Sequence, residues 1–445
     1  MIKSTLIRNV NIVNEGKIFK GDIRIKQEKI SSIAPSISVI QNENIIEGNN
    51  KYLLPGLIDD QVHFREPGLT NKGDIHTESR AAVAGGITSF IEMPNTNPQT
   101  VTMKKIEEKI KIASRNSVAN YGFMFGGTNT NIDEIKSLDE RKVAGLKLFL
   151  GSSTGNMLVN KKEVIKEIFK SSKLVISVHC EDESIIRKNL NHYLRMYGKN
   201  IPFKFHPKIR SSEACFKSSS EAVKLAIETG ARLHVFHIST GKETKLFSKK
   251  PLEEKQITSE VCTHHLWFSD KDYESKGSRI KWNPAIKTEA DKAALWEALN
   301  EDKIDVYATD HSPHTSDEKK LPYSESPSGG PLVQHGLIAM LDSVKKGKIS
   351  LEKFVEKSSH NPAKIFKIKH RGFLKESYFA DMVLIDLKGS TKVTKNNIMY
   401  KCGWSPFEGY TFNSSILKTW VNGELIYSDG KIVSQRPAKS LEYIR

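Results

Sequence analysis

Five side chains, His63, Lys147, His179, His237 and Asp310, lie in or at the ends of apolar runs where chemistry could be done. In "IDDQVHFREPG", Gln61, His63 and Arg65 alternate, which on a strand sends all three to one face. One histidine there fits a hydrogen-bonded core residue as well as a metal ligand. Lys147 in "VAGLKLFLG" is more telling, because an ammonium inside an apolar strand must be paired, neutralised, modified or carried to the surface. Leu146 and Leu148 take one strand face and Lys147 the other, which in a barrel is the interior. A lysine carboxylated by CO2 would offer an oxygen pair able to bridge two metals. His179 in "ISVHCED" and His237 in "HVFHIST" each close an apolar run as His63 does. Three histidines so placed are hard to explain as independent core residues. Asp310 in "VYATDHSPH" ends the last run, ahead of His311 and His314, and a carboxylate facing histidines serves as ligand, general base or both. The set is rich in N and O donors and poor in thiolate, which suits catalytic zinc or a similar divalent ion with a position left for water. Cys180 points away from His179's face and reads as packing; His76, His264 and His265 read as structural or exposed.

These residues need elements to position them. Between residues 56 and 315, short β-branched runs ("TSFIEMP", "ANYGFMFGG", "KLVISVHCED", "RLHVFHIS", "ITSEVCTHHL") alternate with stretches of helical apolar spacing such as "NKKEVIKEIFKSS" and "SSEAVKLAIETG". Counting the run before His63 there are eight, which predicts an α/β fold, a TIM-type (β/α)8 barrel, with the chemical residues at the C-terminal strand ends. Residues 1–54 and 373–445 carry short strands and turn signals without a long helix, and are expected to pair into one small composite β domain beside a barrel spanning 55–372.

The 445 residues, 38% hydrophobic and 27% charged, have the composition of a globular chain able to bury a large core. A net charge of +16 would suit nucleic acid, but the lysines are dispersed, as in "LDSVKKGKISLEKF", without aromatic interleaving or a reader motif, so a solvated lysine-rich surface is the better account and neither nucleic acid nor membrane is expected as a partner. Cys180, Cys215, Cys262 and Cys402 form no CxxC pair and are expected to be reduced. The N-terminal stretch breaks its apolar residues with charges, so a cytoplasmic location is the expectation.

The motifs "PGLIDDQVHFREPG", "EMPNTNPQT", "GLKLFLG", "VHCED", "HPKIRSSEAC", "VFHIST", "KWNPAIK" and "ATDHSPHT" resemble, in order and over almost the whole chain, those of the dihydroorotase family of the amidohydrolase superfamily. "YFADMVLIDL" and "SPFEGYTF" resemble that family's closing segments. The resemblance implies that His63 and Asp310 hold a first Zn2+, that His179 and His237 hold a second, and that Lys147 bridges them as a carboxylysine. It implies reversible cyclisation of N-carbamoyl-L-aspartate to L-dihydroorotate, a step of pyrimidine biosynthesis, with Asp310 moving the proton. Arg65 and Asn95 would bind the substrate carboxylate, Asn283 and His314 would complete the contacts, and the loop "SDEKKLPYSESPSGGPL" is long enough to close over the site. A homodimer, or association with another pyrimidine enzyme, is the assembly implied.

One residue departs from the family pattern. The first strand of the family reads His-x-His and this one reads Gln61-Val62-His63, so the first metal is expected to be held less tightly, with water in one position, or to be absent. Two other readings follow: an inactive dihydroorotase-like partner of another enzyme, for which Gln61 speaks, and a related cyclic amidase such as an allantoinase, against which Arg65 and Asn95 speak.

Overall fold

The computed structural model describes residues 4–151 and 157–445. Eight parallel strands run in chain order: Leu57–Val62, Ile87–Glu92, Asn120–Phe123 (continued by Phe125–Gly126), Leu146–Phe149, Ile176–His179, Leu233–Val235, Ile257–Cys262 and Val306–Ala308. Each pairs with the next, the break after Phe123 being spanned by Ala144 N donating to Phe123 O at 2.9 Å. A parallel bridge between Val62 and His311, with His63 N donating to His311 O at 2.7 Å, brings the eighth strand's end against the first. The sheet thus closes on itself as a (β/α)8 barrel, and its strands read as nearly continuous apolar runs because both faces are buried.

The first strand is shorter than the alternation in "QVHFR" suggests. It ends at Val62, and Arg65 adopts φ 70°, so the chain turns out of extended geometry before the arginine.

Helices start where a polar side chain caps them directly after a functional segment. Asp182 accepts from Ile185 N and opens Glu183–Tyr197, and Ser211 accepts from Ala214 N and opens Ser212–Thr229. Asp74 and Thr288 form capping boxes for Ile75–Ala84 and Glu289–Asn300.

Among the described residues, nine strands from the two chain ends form a second sheet, in which Tyr52–Pro55 runs antiparallel to Met382–Asp386, with Leu54 opposite Val383. Side-chain alternation divides it between two cores. Val13, Leu54, Val383 and Val421 pack with Leu57, Ile87 and Phe90 of the barrel, whereas Ile12, Leu53, Leu384 and Trp420 form the sheet's outer core. A buried polar knot joins sheet to barrel: Asp381 accepts from Arg371, from Asn422 N at 2.7 Å and from Asn120 Nδ2 at 3.2 Å, while Asn422 Nδ2 donates to Asn120 Oδ1 at 2.8 Å. Among the described residues, no helix is long and apolar enough to cross a membrane.

Replacing Asp381 with Leu would strand the buried Arg371 guanidinium. The expected loss is about 3–5 kcal/mol of stability in urea unfolding, and a change below about 1 kcal/mol would mean that the knot does not anchor the sheet.

Candidate active site

The C-terminal strand ends bring His63, His179, His237 and Asp310 around one small cavity of about 50 Å3, whose walls also include Gln61, Asn95, Asn283, Ser312, Ser328 and Gly329. The nitrogens and oxygens come in two facing pairs. His179 Nδ1 lies 3.0 Å from His237 Nε2, and His63 Nε2 lies 3.4 Å from Asp310 Oδ1. Such separations suit two ligands of one ion at metal–ligand distances near 2 Å.

Neighbours fix the rings for that role. Asn95 Oδ1 lies 2.8 Å from His63 Nδ1, so the ring donates there and turns the Nε2 lone pair toward Asp310. Glu181 Oε2 lies 3.0 Å from His179 Nε2, which frees Nδ1 to face His237. Burial holds the His63, His179 and His237 rings below the usual imidazole range, in the neutral form that a metal takes. Arg65, His237 and Asp310 have φ values of 70°, 40° and 46°. Non-glycine residues there cost about 1–3 kcal/mol each and are kept where surrounding structure imposes them, commonly at functional sites.

Lys147 lies one layer beneath the cavity. It is fully buried, its Nζ has no hydrogen-bond partner, and the rings of Phe236 and Phe149 stand 4.1 and 4.9 Å from it. Burial pushes its ammonium down to about 7 and pushes the Asp310 carboxyl up to about 7. A neutral amine in reach of carboxylate-rich surroundings is the state that reacts with CO2.

Arg65 and His314 stand behind Ser312 rather than in the cavity wall. Arg65 Nη2 donates to Ser312 Oγ at 3.1 Å and faces His314 Nε2 at 3.0 Å, while Nε donates to Pro313 O at 3.0 Å. Asn283 Oδ1 is buried without a partner. The loop after the eighth strand roofs the site through Ser328 and Gly329, and two buried ammonium groups hold it: Lys281 on Tyr323 O (2.6 Å) and Ser326 O (2.5 Å), Lys319 on Pro327 O (2.8 Å) and Gly329 O (2.9 Å). The cavity is small beside the roughly 300–1,000 Å3 of ligand pockets, and the loop bounds it through Ser328 and Gly329.

Two groups escape the sequence reading. The first is Glu181 with Arg210, whose side chains pair in the interior; the signal was an acid two residues beyond His179, within a motif read for its histidine alone. The second is Asp60, His234 and Glu260, three buried residues from three strands, each with a ligand atom within 4.8 Å of the others'. His264 and His265 are buried, and His264 stacks on Trp282 with ring centroids 4.5 Å apart.

The sequence profile of the amidohydrolase family matches residues 52–426. The chain is 32% identical to a dihydroorotase of Methanosarcina acetivorans over 415 residues, covering 91% of this chain and 88% of that protein. It is 33% identical to a dihydroorotase of Pyrococcus furiosus over 435 residues, covering 96% and 95%. Among solved structures it is similar to the L-hydantoinase (dihydropyrimidinase) of Arthrobacter aurescens, with a TM-score of 0.93, 27% identity, and 99% of this chain and 100% of that one covered. The fold is shared also with a dihydropyrimidinase of Brevibacillus agri, with a TM-score of 0.90, 22% identity, and 99% and 100% covered.

The Glu181–Arg210 pair yields a stability test with a definite sign. Burial favours the protonated acid, but Arg210 and the His179 ring overcome it and hold Glu181 down at about 2. Its contribution is therefore complete above the unfolded value of about 4.3 and lost as pH falls toward 2. Arg210→Met is expected to destabilise the protein by about 3 kcal/mol at pH 7, with the deficit narrowing below pH 4 as Glu181 protonates. Urea unfolding at both pH values checks this, and a deficit independent of pH would contradict it.

Proposed function

Because the chain belongs to the amidohydrolase family and is a cyclic amide hydrolase, we propose that it is a dihydroorotase, interconverting N-carbamoyl-L-aspartate and L-dihydroorotate. The convergence of the His63–Asp310 and His179–His237 pairs on one cavity, with a buried guanidinium one residue behind its wall, supports this reading. His63 and Asp310 would hold one divalent ion, His179 and His237 a second, and a carboxylated Lys147 would lie between them. Imidazole and carboxylate donors without thiolate suit zinc. Bound there, the metal would polarise the ring carbonyl and make water acidic enough to attack at neutral pH.

The chain's own residues account for the rest. In ring opening, Asp310 takes a proton from the attacking water and delivers it to the departing ring nitrogen; in ring closure it runs the same transfer backwards. Arg65, with its fork fixed by Ser312 and Pro313, and the Asn95 amide would meet the exocyclic carboxylate, while Asn283 and His314 complete its surroundings. The similarity to hydantoinase structures favours, as a second reading, a related cyclic amidase whose substrate lacks that carboxylate. The roof formed by Ser328 and Gly329 would exclude bulk water during turnover.

Two measurements test this. Arg65→Met is expected to lower kcat/KM for dihydroorotate about 10–100-fold, the worth of a charge-assisted hydrogen bond, without a comparable loss on dihydrouracil, which lacks the carboxylate. Equal losses on both would favour the second reading. Because ring opening needs Asp310 ionised and ring closure needs it protonated, kcat/KM should rise with pH in the opening direction and fall in the closing direction. The inflections should lie at or below about 7, since a nearby cation favours the ionised carboxylate. Profiles with limbs of the same sign in both directions would remove Asp310 from that role.

A further inference from the structure

Deeper in the barrel, below the two facing pairs, the lone pairs of three more side chains meet. Asp60 comes from the first strand, His234 from the sixth and Glu260 from the seventh, and each is fully buried. His234 Nε2 lies 3.3 Å from Asp60 Oδ2 and 3.9 Å from Glu260 Oε2. Both Asp60 carboxylate oxygens, Glu260 Oε2 and His234 Nε2 have no hydrogen-bond partner.

The outer contacts of these residues decide what faces inward. Thr258 Oγ1 donates its own proton to Leu233 O at 3.3 Å, so at His234 Nδ1, 2.8 Å away, the hydroxyl oxygen is the acceptor and the ring is the donor. With Nδ1 engaged there, Nε2 is the ring atom that faces Asp60 and Glu260. Glu260 Oε1 is likewise taken, by His237 N at 3.2 Å and the Cys262 thiol at 3.2 Å, which leaves Oε2 for the centre. Three buried groups, each able to offer a ligand atom, thus converge with those atoms unpartnered. A doubly charged ion placed between them would satisfy every bare atom at once and offset the burial of the two carboxyl groups.

We propose that Asp60, His234 and Glu260 form an inner divalent-cation site of the zinc or manganese class, separate from the outer pairs His63–Asp310 and His179–His237. Its donors, two carboxylates and one imidazole, match the oxygen and nitrogen preference of these ions, and separations of 3.3 and 3.9 Å need only slight contraction to bring ligands to bonding distance. Its consequence for the outer site runs through Glu260: a carboxylate tied to an ion at Oε2 holds, at Oε1, the backbone N–H of His237, whose φ of 40° needs such support.

The deciding experiment is anomalous diffraction from crystals of the full chain equilibrated with zinc, recorded on both sides of the zinc edge and repeated with manganese. The expected result is a peak about 2 Å from His234 Nε2 and from one oxygen each of Asp60 and Glu260. That peak should vanish in Asp60→Asn, while metal content per chain measured by mass spectrometry falls by one equivalent and peaks at the outer pairs persist. A map of the wild-type protein with no peak between the three residues overturns the proposal, and so does a peak that Asp60→Asn leaves unchanged. Should that variant fail to fold, the wild-type map decides alone.

Discussion

Charge buried inside a closed barrel must be neutralised where it stands, and this constraint organises the interior. Asp59, Asp60, Glu260 and Asp310 are all buried within or beside the eight strands. Asp59 is answered by hydrogen bonds, accepting from Thr309 N at 3.2 Å and Thr309 Oγ1 at 2.5 Å. Asp310 is answered by opposite charge, since the Lys147 ammonium and the Arg65 guanidinium both oppose the burial that raises its carboxyl. Even so, that carboxyl stands at about 7 and the lysine has been pushed down to about 7, so both sit where a proton, CO2 or a cation can tip them. A barrel filled only with Val, Ile and Leu would be more stable and would offer no such poised groups.

The sequence was legible where one residue type contradicts its surroundings. Lys147 among leucines, and histidines at the ends of three apolar runs, stand out because the strand period assigns them a face before any contact is known. The eight-fold alternation was legible for the same reason. What escaped depends on packing between distant segments. Arg210 reaches Glu181 across 29 positions because the chain after Glu183–Tyr197 returns over the strand end, a geometry that no local pattern encodes. Asp60, His234 and Glu260 meet only once three strands have found their register. Arg65 was expected on the same strand face as Gln61 and His63; the strand stops at Val62, and a left-handed turn swings the guanidinium to Ser312 and Pro313 instead.

That turn joins two tasks in one segment. The residues Arg65 holds, Ser312 to His314, directly follow Asp310, and their far side pairs with the roof, Ser312 N donating to Gly330 O at 2.9 Å. Moving the roof therefore moves the anchor of Arg65 and the backbone next to Asp310 together. On the proposed reading, carboxylate recognition, acid–base chemistry and closure are one mechanical unit, while the His179 ring is oriented by Glu181, which pairs with Arg210.

Gln61 falls on the side of the site that this unit controls. Its side chain reaches the cavity, and its amide oxygen is 3.9 Å from the Cys262 thiol. An amide brings no charge and is a weaker donor to a metal than imidazole, so a cation beside His63 would depend on Asp310 and a carboxylated Lys147 for most of its hold. Its neighbour Asp60 does bring charge, one position deeper. Where the family pattern has an imidazole at the cavity, this strand presents a neutral amide there and a bare carboxylate beneath, which shifts the first strand's electrostatic weight from the mouth of the barrel toward its centre.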